Sequence, residues 1–372
     1  MSDILARVDR VASDAIRSGA IETDTSGQFP RASIDALRDA GVLGIGLPTE
    51  LGGAGGGYGD AVWAVERVAR ECASTAMIYC MHVSAAQVVG AFGSEERKRG
   101  VATGEELATL AFSEAGSRSH FWAPVSTAKA VDGDVQLDAR KSWVTSAGEA
   151  AHYVWSSQPV AADGPSTLWL VPSDAAGLSI KGPFDGLGLR GNDSSPVTGE
   201  VVVVPESARL GDDGAGFGVM MEVVLPWFNG MSAGCSLGIA EAAFTAAAAH
   251  CSATRYAHLD SALRDLPTIR AYLARMRCSV DAGKALLADT VAAVEGGRED
   301  AMLRVLQCKA VAAETALSVT ATAMRVCGGA AFRKDVGVER NMRDAQAASV
   351  MAPTTDVLYD FLGKAVTGME LF

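Results

Sequence analysis

LAFSEAGSRSHFWAPVSTAKAVDGDVQLDARKSWVTSAG, residues 110–148, is the stretch that decides the fold. Two runs of alternating apolar and polar residues, 125–131 and 135–140, lie on either side of Asp-Gly-Asp, which predicts a β-hairpin. Trp143 and Thr145 follow two positions apart, so on a strand their side chains would share one face. That face would offer an aromatic plane beside a hydroxyl, which a flat redox-active ring could use. Alternatively, Trp143 is a sheet core residue and Thr145 a strand former.

The sequence pattern changes on both sides of this stretch. From 107 to 205, short runs of β-branched and aromatic residues are separated by Gly, Pro, Asp and Ser, which predicts a barrel or a sandwich. Before it, apolar residues recur at helical spacing, beginning with a stripe that we expect to end at Gly19. After it, the segments 263–294 and 301–327 contain few helix breakers and predict a C-terminal four-helix bundle.

The charge balance narrows the function classes. The formal net charge is -12, which argues against nucleic-acid binding, since that function needs a basic face, and does not suit an anionic membrane surface. The N-terminus has no basic region before an apolar core, and no run of about 18 apolar residues occurs. We therefore expect a cytoplasmic protein. The seven cysteines and five histidines are dispersed, so neither a metal site nor a disulfide framework is expected.

Two motifs in the opening stretch resemble motifs of the acyl-CoA dehydrogenases. Residues 113–120, Ser-Glu-Ala-Gly-Ser-Arg-Ser-His, are similar to the family's Thr-Glu-Pro-Gly-x-Gly-Ser-Asp. Residues 141–146, Lys-Ser-Trp-Val-Thr-Ser, resemble its Lys-x-Trp-Ile-Thr-Asn. Further similar segments follow the family's order along the chain: 47–57, 92–98, 188–205, 326–332 and 338–345. The resemblance covers nearly the whole chain.

The resemblance implies the family's α+β fold. Its parts are a helical N-terminal domain (1–106), a β-barrel or sandwich domain that contacts the flavin ring (107–212) and a C-terminal four-helix bundle (213–372). It also implies an FAD-dependent oxidoreductase that assembles as a homodimer or homotetramer.

The resemblance assigns flavin contacts within the opening stretch. Trp143 is expected to pack on the flavin, and the Thr145 hydroxyl to bond near flavin N5. Ser113 matches a residue that bonds the pyrimidine side of the ring. Ser119 matches a serine that contacts the pyrophosphate.

Other cofactor contacts are implied further along the chain. Arg255 matches an arginine that reaches the pyrophosphate across the dimer interface, and a guanidinium suits a phosphate, although a lone surface arginine is the alternative. Gly328 and Gly329 would let a neighbouring subunit's flavin tail approach the backbone closely. Arg325 stands where the family commonly has a glutamine at the adenosine, and Thr354 is a further cofactor-binding candidate.

Both of the family's usual positions for the catalytic base lack a carboxylate. Ala352 stands nine residues after the arginine of the Arg-Asp-Ala motif, where the common branch has Glu. Phe228 stands where a second branch has the Glu of a Glu-Arg pair. The base is therefore unassigned. Glu222 is a weak candidate, and Glu241 and Asp356 are nearby acids that could equally be solvated helix residues.

The C-terminal segment 350–365 resembles a branch found in methoxymalonyl extender-unit pathways of polyketide synthesis. This implies an acyl-thioester dehydrogenase that oxidises a glyceryl-derived unit on an acyl carrier protein toward hydroxymalonyl. The partner is then an acyl carrier protein or a CoA thioester. Because the base is missing, two alternatives stay open: a flavin-dependent monooxygenase of the same fold that hydroxylates nitrogen or carbon, and a catalytically silent flavoprotein.

Overall fold

Helices form the N-terminal part of the chain. The computed structural model describes residues 3–117 and 120–371. The helices before the first strand are α1 (Asp3–Val11), α2 (Arg17–Ser26), α3 (Arg31–Asp39), α4 (Tyr58–Glu71), α5 (Ala73–Phe92) and α6 (Glu95–Thr103). A π-helical turn, Ala12–Ile16, joins α1 to α2. The predicted apolar stripe is confirmed, since Ile4, Leu5 and Val8 are buried.

The first helical segment, which runs from α1 through the π-helical turn into α2, ends later than predicted. It continues through Gly19, which packs beside α3 so that an added Cβ would lie 3.9 Å from Ser33 Oγ. It ends at Gly27, whose φ of +69° is the left-handed conformation that commonly closes helices. One glycine costs only about 1 kcal/mol inside a helix, which tertiary packing easily exceeds. The predicted end at Gly19 is therefore wrong.

Two sheets form the middle of the chain. The strands are β1 (Ala108–Ala111), β2 (Thr127–Val131), β3 (Asp134–Val144), β4 (His152–Ser157), β5 (Thr167–Pro172), β6 (Leu178–Ile180) and β7 (Ser195–Pro205). One sheet has the order β1-β4-β5, with β1 parallel to β4 and β4 antiparallel to β5. The other is antiparallel and has the order β2-β3-β7-β6. The predicted hairpin is confirmed as β2 and β3, with Val131 opposite Asp134.

One apolar core joins the two sheets into a sandwich. Trp155 of β4 lies opposite Trp169 of β5, and both are buried. They belong to one cluster with Leu137 of β3 and Val202 of β7, from the other sheet. Aligned strands packed face to face through such side chains are typical of β-sandwiches.

The rest of the chain is helical apart from a short strand pair. Its elements are α7 (Gly216–Val219), α8 (Leu225–Ala253), β8 (Arg255–Tyr256), β9 (Ser261–Ala262), α9 (Pro267–Glu295), α10 (Ala301–Cys327), α11 (Val338–Val350) and α12 (Thr355–Val366). A π-helical turn, Met220–Val224, joins α7 to α8. α8 contacts α9, α10 and α11, and it also packs against α4 of the N-terminal part. The predicted C-terminal bundle is thus confirmed.

Within residues 3–117 and 120–371, two helical segments are long and apolar enough, by length and composition alone, to cross a membrane. They are α5 and the continuous segment 216–253. Their most apolar windows are 72% and 83% buried inside the protein, as expected of core helices that pack on all sides.

Candidate active site

A cavity of about 810 Å³ lies where the sandwich meets the C-terminal helices. This volume is within the range of cofactor and ligand sites. Five stretches supply most of its lining: 110–115, 142–145, 184–194, 224–228 and 343–352. Most of the lining side chains are apolar.

Trp143 and Thr145 line this cavity together, although not by simple strand alternation. The pairing of β3 with β7 shifts register between Lys141 and Val144, and Trp143 has a φ of +55°. Such a bulge redirects a side chain, and the indole of Trp143 is 69% exposed. Thr145 lies beyond the end of β3, is buried, and has its Oγ1 3.0 Å from Ser194 Oγ.

Ser113 also lines the cavity. Its carbonyl oxygen accepts a hydrogen bond of 2.8 Å from the backbone N–H of Ser142. An open indole face beside serine and threonine hydroxyls fits a flat ring with polar edges, so Trp143, Thr145 and Ser113 would hold the flavin ring. Ser119, the predicted pyrophosphate contact, lies outside the described residues.

A buried ion pair joins the stretch that carries Ser113 to the stretch that carries Trp143. The Nζ of Lys141 lies 2.5 Å from Oε1 of Glu114, and both side chains are almost fully buried. The Glu114 carboxylate also accepts hydrogen bonds from the N–H groups of Val125 and Ser126 and from the Ser126 hydroxyl. Burial lowers the pKa of Lys141 to about 8, against the opposing effect of Glu114. The sequence alone did not indicate this pair, although Glu114 and Lys141 belong to the two motifs quoted above.

Arg343 is the one cation among the described residues that line the cavity. Its guanidinium binds Asp24 through two hydrogen bonds of 2.6 and 2.8 Å and Glu339 through two of 2.7 and 3.2 Å. Its fifth N–H donates to the carbonyl oxygen of Leu187 at 3.2 Å. All five donors of the side chain are therefore used within the protein.

Both usual base positions of the family meet at the cavity. Phe228 of α8 and Ala352, which follows α11, both line it. Glu114 is the one carboxylate among the described lining residues. Its oxygens already accept the hydrogen bonds given above, so it is not a free base.

The acids suggested by the sequence do not line the cavity. Glu222 is exposed, whereas Val224 of the same helical segment lines the wall. Glu241 binds Arg277 and Lys284, and its pKa lies at about 2 because the bonds to these cations outweigh its burial. Asp356 is exposed and lines a neighbouring groove. The structure therefore does not bring the weak candidate Glu222 to the site.

Lys309 holds the segment that carries Ala352. Its buried ammonium donates to the carbonyl oxygens of Met351, at 3.0 Å, and Pro353, at 2.7 Å. Burial lowers the pKa of Lys309 to about 7. The sequence contained a signal for this role, because Lys309 is a lone cation in an apolar helical run.

The remaining predicted cofactor residues do not line this cavity. Arg255 is exposed and pairs with Asp260, and Arg325 lies 4.8 Å from the ring centroid of Tyr272. Gly328 has a φ of +58°, and a Cβ added at Gly328 or Gly329 would meet no atom within 4 Å. Their predicted contacts to a neighbouring subunit's cofactor stay predictions.

Thr354 has a local structural role. Its hydroxyl caps α12 by accepting a hydrogen bond of 3.4 Å from the N–H of Val357. Such caps typically contribute about 1 kcal/mol to stability. Thr354 follows the cavity-lining Ala352 by two residues, and its predicted contact with the cofactor stays a prediction.

Comparisons with known proteins agree with this architecture. The butyryl-CoA dehydrogenase of Megasphaera elsdenii has the same fold, with a TM-score of 0.92, 23% identity and coverage of 99% of both chains. FkbI, described as serving biosynthesis of the methoxymalonyl extender unit of the Fk520 polyketide, superposes with a TM-score of 0.86. It is 24% identical and covers 97% of this chain and 99% of its own.

Sequence comparison identifies the family. The short-chain specific acyl-CoA dehydrogenase of Bos taurus mitochondria is 30% identical over 348 residues, which cover 91% of this chain and 83% of the relative. The family models for the N-terminal, middle and C-terminal domains of acyl-CoA dehydrogenases match residues 2–104, 109–202 and 214–367. The chain therefore belongs to the acyl-CoA dehydrogenase family of oxidoreductases, whose cofactor is FAD, as the resemblance predicted.

Proposed function

We propose that this protein oxidises a hydroxyl-bearing, glyceryl-derived acyl group held as a thioester on an acyl carrier protein, toward hydroxymalonyl. The observation that carries this proposal is the cavity wall at Phe228 and Ala352, where neither usual base position supplies a carboxylate. Removing a proton from the carbon beside a thioester needs such a base. Oxidation of an alcohol carbon does not remove that proton, so it needs no carboxylate base at these positions.

The chemistry balances without a carboxylate at these positions. Oxidation of an alcohol carbon to a carbonyl breaks one C–H and one O–H bond and releases a hydride and a proton. Bound FAD supplies the two-electron acceptor for the hydride. The proton leaves to water, because the one carboxylate of the described lining, Glu114, is bonded to Lys141 and Ser126.

The flavin wall, formed by Ser113, Trp143 and Thr145, would orient the reacting groups. The exposed face of Trp143 would stack on the ring, and the Thr145–Ser194 hydroxyl pair would bond its polar edge. The largely apolar lining around them would strengthen these polar contacts. Fold similarity to FkbI supports an extender-unit substrate for this chain.

The assembly belongs to the same proposal. Arg255, Arg325, Gly328 and Gly329 are outside the cavity lining, so we propose that they reach the cofactor of a second subunit in a homodimer or homotetramer. A carrier protein presents an acidic helix. Because this chain has a net charge of -12, the patch on its surface that docks the carrier protein would be a local basic one. We propose a cytoplasmic location for this partnership.

Anaerobic bleaching of the flavin tests the proposed function. The purified holoenzyme is mixed with carrier protein loaded with a glyceryl unit, and separately with butyryl-CoA. We expect loss of the visible flavin absorbance with the glyceryl carrier protein and not with butyryl-CoA. Bleaching by butyryl-CoA alone would instead indicate ordinary desaturation and would contradict the proposal.

The missing carboxylate also supports a second candidate function, a flavin-dependent monooxygenase. In that case no thioester bleaches the oxidised flavin, and the chemically reduced holoenzyme reacts rapidly with oxygen and hydroxylates an added substrate. A holoenzyme that does neither would be a silent flavoprotein. The same purified sample separates the three outcomes.

A further inference from the structure

The cavity offers no free charge among its described lining residues. Glu114 accepts hydrogen bonds on both carboxylate oxygens, one of them from Lys141. Arg343 uses all five donors on Asp24, Glu339 and Leu187. A charged substituent on the acyl group would lose its hydration and find no counterion, which is costly in an apolar cavity. The cavity therefore suits a neutral acyl group.

One polar group on the helical wall is only partly used. Gln346 of α11 lines the cavity, and its Nε2 turns back to donate to the carbonyl oxygen of Met342 at 3.1 Å. Because a carbonyl can only accept, the amide nitrogen must face Met342, and this fixes the amide orientation. The Oε1 atom then has no hydrogen-bond partner among the described residues. The Oε1 atom of Gln346 is therefore an unused hydrogen-bond acceptor in a largely apolar lining.

We propose that Gln346 determines substrate specificity by accepting, through Oε1, a hydrogen bond from a hydroxyl group of a neutral acyl thioester. This inference deepens the proposed function and rests on it, since it names the substrate class as uncharged and hydroxylated. Trp143 belongs to the end of β3, Thr145 directly follows that strand, and Gln346 belongs to α11, so the flavin wall and the specificity contact lie on different parts of the fold. A carboxylate-bearing acyl group, by contrast, would be rejected.

Ligand binding to the oxidised holoenzyme tests the inference without requiring turnover. The probes are pantetheine thioesters of propionate, lactate and malonate, and the readout is the shift of the flavin visible spectrum during titration. Lactyl differs from propionyl by one hydroxyl, and malonyl carries a carboxylate. We expect the wild-type protein to bind lactyl about tenfold more tightly than propionyl, as expected for one hydrogen bond. Malonyl should bind more weakly than lactyl by at least about tenfold.

Two variants of Gln346 separate specificity from structure. Gln346→Met has nearly the same size but no oxygen acceptor, so we expect lactyl and propionyl to bind equally while the Kd for propionyl stays unchanged. Gln346→Glu keeps an acceptor and should keep the preference for lactyl. Gln158→Leu, at an exposed position, is the control. A purely structural role would change both affinities in parallel.

Several outcomes would overturn the inference. They are equal binding of lactyl and propionyl by the wild-type protein, a preference that survives in Gln346→Met, or tighter binding of malonyl than of lactyl. Failure of the proposed function has a separate signature, because it appears as absence of bleaching by the glyceryl carrier protein. The binding titration gives its answer in either case.

Discussion

Lys141 Nζ and Glu114 Oε1 are 2.5 Å apart in the interior of the sandwich, and this ion pair joins the stretch that carries Ser113 to the stretch that carries Trp143. The other two ammonium protons go to the carbonyl and hydroxyl oxygens of Ser156 on β4, at 2.6 and 2.9 Å. Ser113 precedes Glu114 and Trp143 follows Lys141 by two positions, so the pair sets the distance between both cavity-lining side chains.

Glu114→Gln should therefore be strongly destabilising. It leaves the Lys141 ammonium buried without its counterion, and breaking a buried pair in this way costs about 3–5 kcal/mol. We expect the free energy of unfolding, measured by urea titration, to fall by about that amount. Glu200→Gln is the matched control, because Glu200 is exposed, and it should change the value by less than about 0.5 kcal/mol. Equal effects of the two substitutions would contradict a structural role for the pair.

Trp143→Ala should weaken flavin binding and leave the fold stable. The indole is 69% exposed, so its removal creates no cavity in the core. Aromatic stacking contributes about 0.5–1.5 kcal/mol beyond the buried area. We expect the Kd for FAD, measured by flavin fluorescence, to rise about tenfold or more, with an unchanged Tm of the apoprotein. Val201→Ala, an exposed position on β7, is the control. Unchanged FAD affinity would refute the stacking contact.

Lys309→Met should change how stability depends on pH. The pKa of Lys309 is lowered by burial to about 7, while an unfolded lysine titrates near about 10.4. Between these values the unfolded chain binds a proton that the folded chain lacks, so the free energy of unfolding rises with pH. Relative to Lys309→Met, the wild-type protein should gain about 2–3 kcal/mol between about pH 7.5 and 9.5. Below about pH 7 the difference should be constant, because both states are then protonated.

Urea titrations at several pH values measure this difference. Lys129→Met is the control, because Lys129 is exposed on β2 and its loss should leave the pH profile of stability unchanged. Parallel profiles for the wild-type protein and Lys309→Met would show that the buried ammonium keeps an ordinary pKa.

Ala352→Glu should restore a carboxylate at the family's common base position. A positioned general base typically contributes about 10²–10⁴-fold to rate. We expect butyryl-CoA to bleach the flavin of Ala352→Glu under anaerobic conditions, whereas the wild-type flavin stays oxidised. Val350→Glu adds the same charge at a lining residue that is 70% exposed, and it should give no gain. Equal gains from both substitutions would mean that the position of the carboxylate is unimportant.

The sequence predicted the elements whose signals are local. The hairpin of β2 and β3 follows from alternation around Asp132-Gly133, and α10 follows from a run without helix breakers. The end of the first helical segment was missed, because the burial of Ala20 and Thr23 after Gly19 outweighs the weak helix propensity of one glycine. The bulge at Trp143 was missed too, since strand alternation carries no information about a register shift.

The candidate site was predicted in part for the same reason. Trp143, Thr145 and Ser113 lie within motifs, and the structure brings them to one cavity with Ala352 and Phe228. The charge network was not predicted, because its ion pairs Lys141–Glu114 and Arg343–Asp24 join residues distant in sequence. Lys309 stands out as a lone cation in an apolar helical run, but no local pattern indicates which carbonyl oxygens it binds or that the Arg343 guanidinium is fully occupied.

The bond from Arg343 to Asp24 spans 319 positions of the chain. A ribosome releases the N-terminus first, so Asp24 emerges long before its partner exists. The cavity wall at Arg343 can be completed only when the last helices have been synthesised. The flavin site is therefore completed late in the synthesis of the chain, and a truncated product that lacks α11 would have no finished cavity.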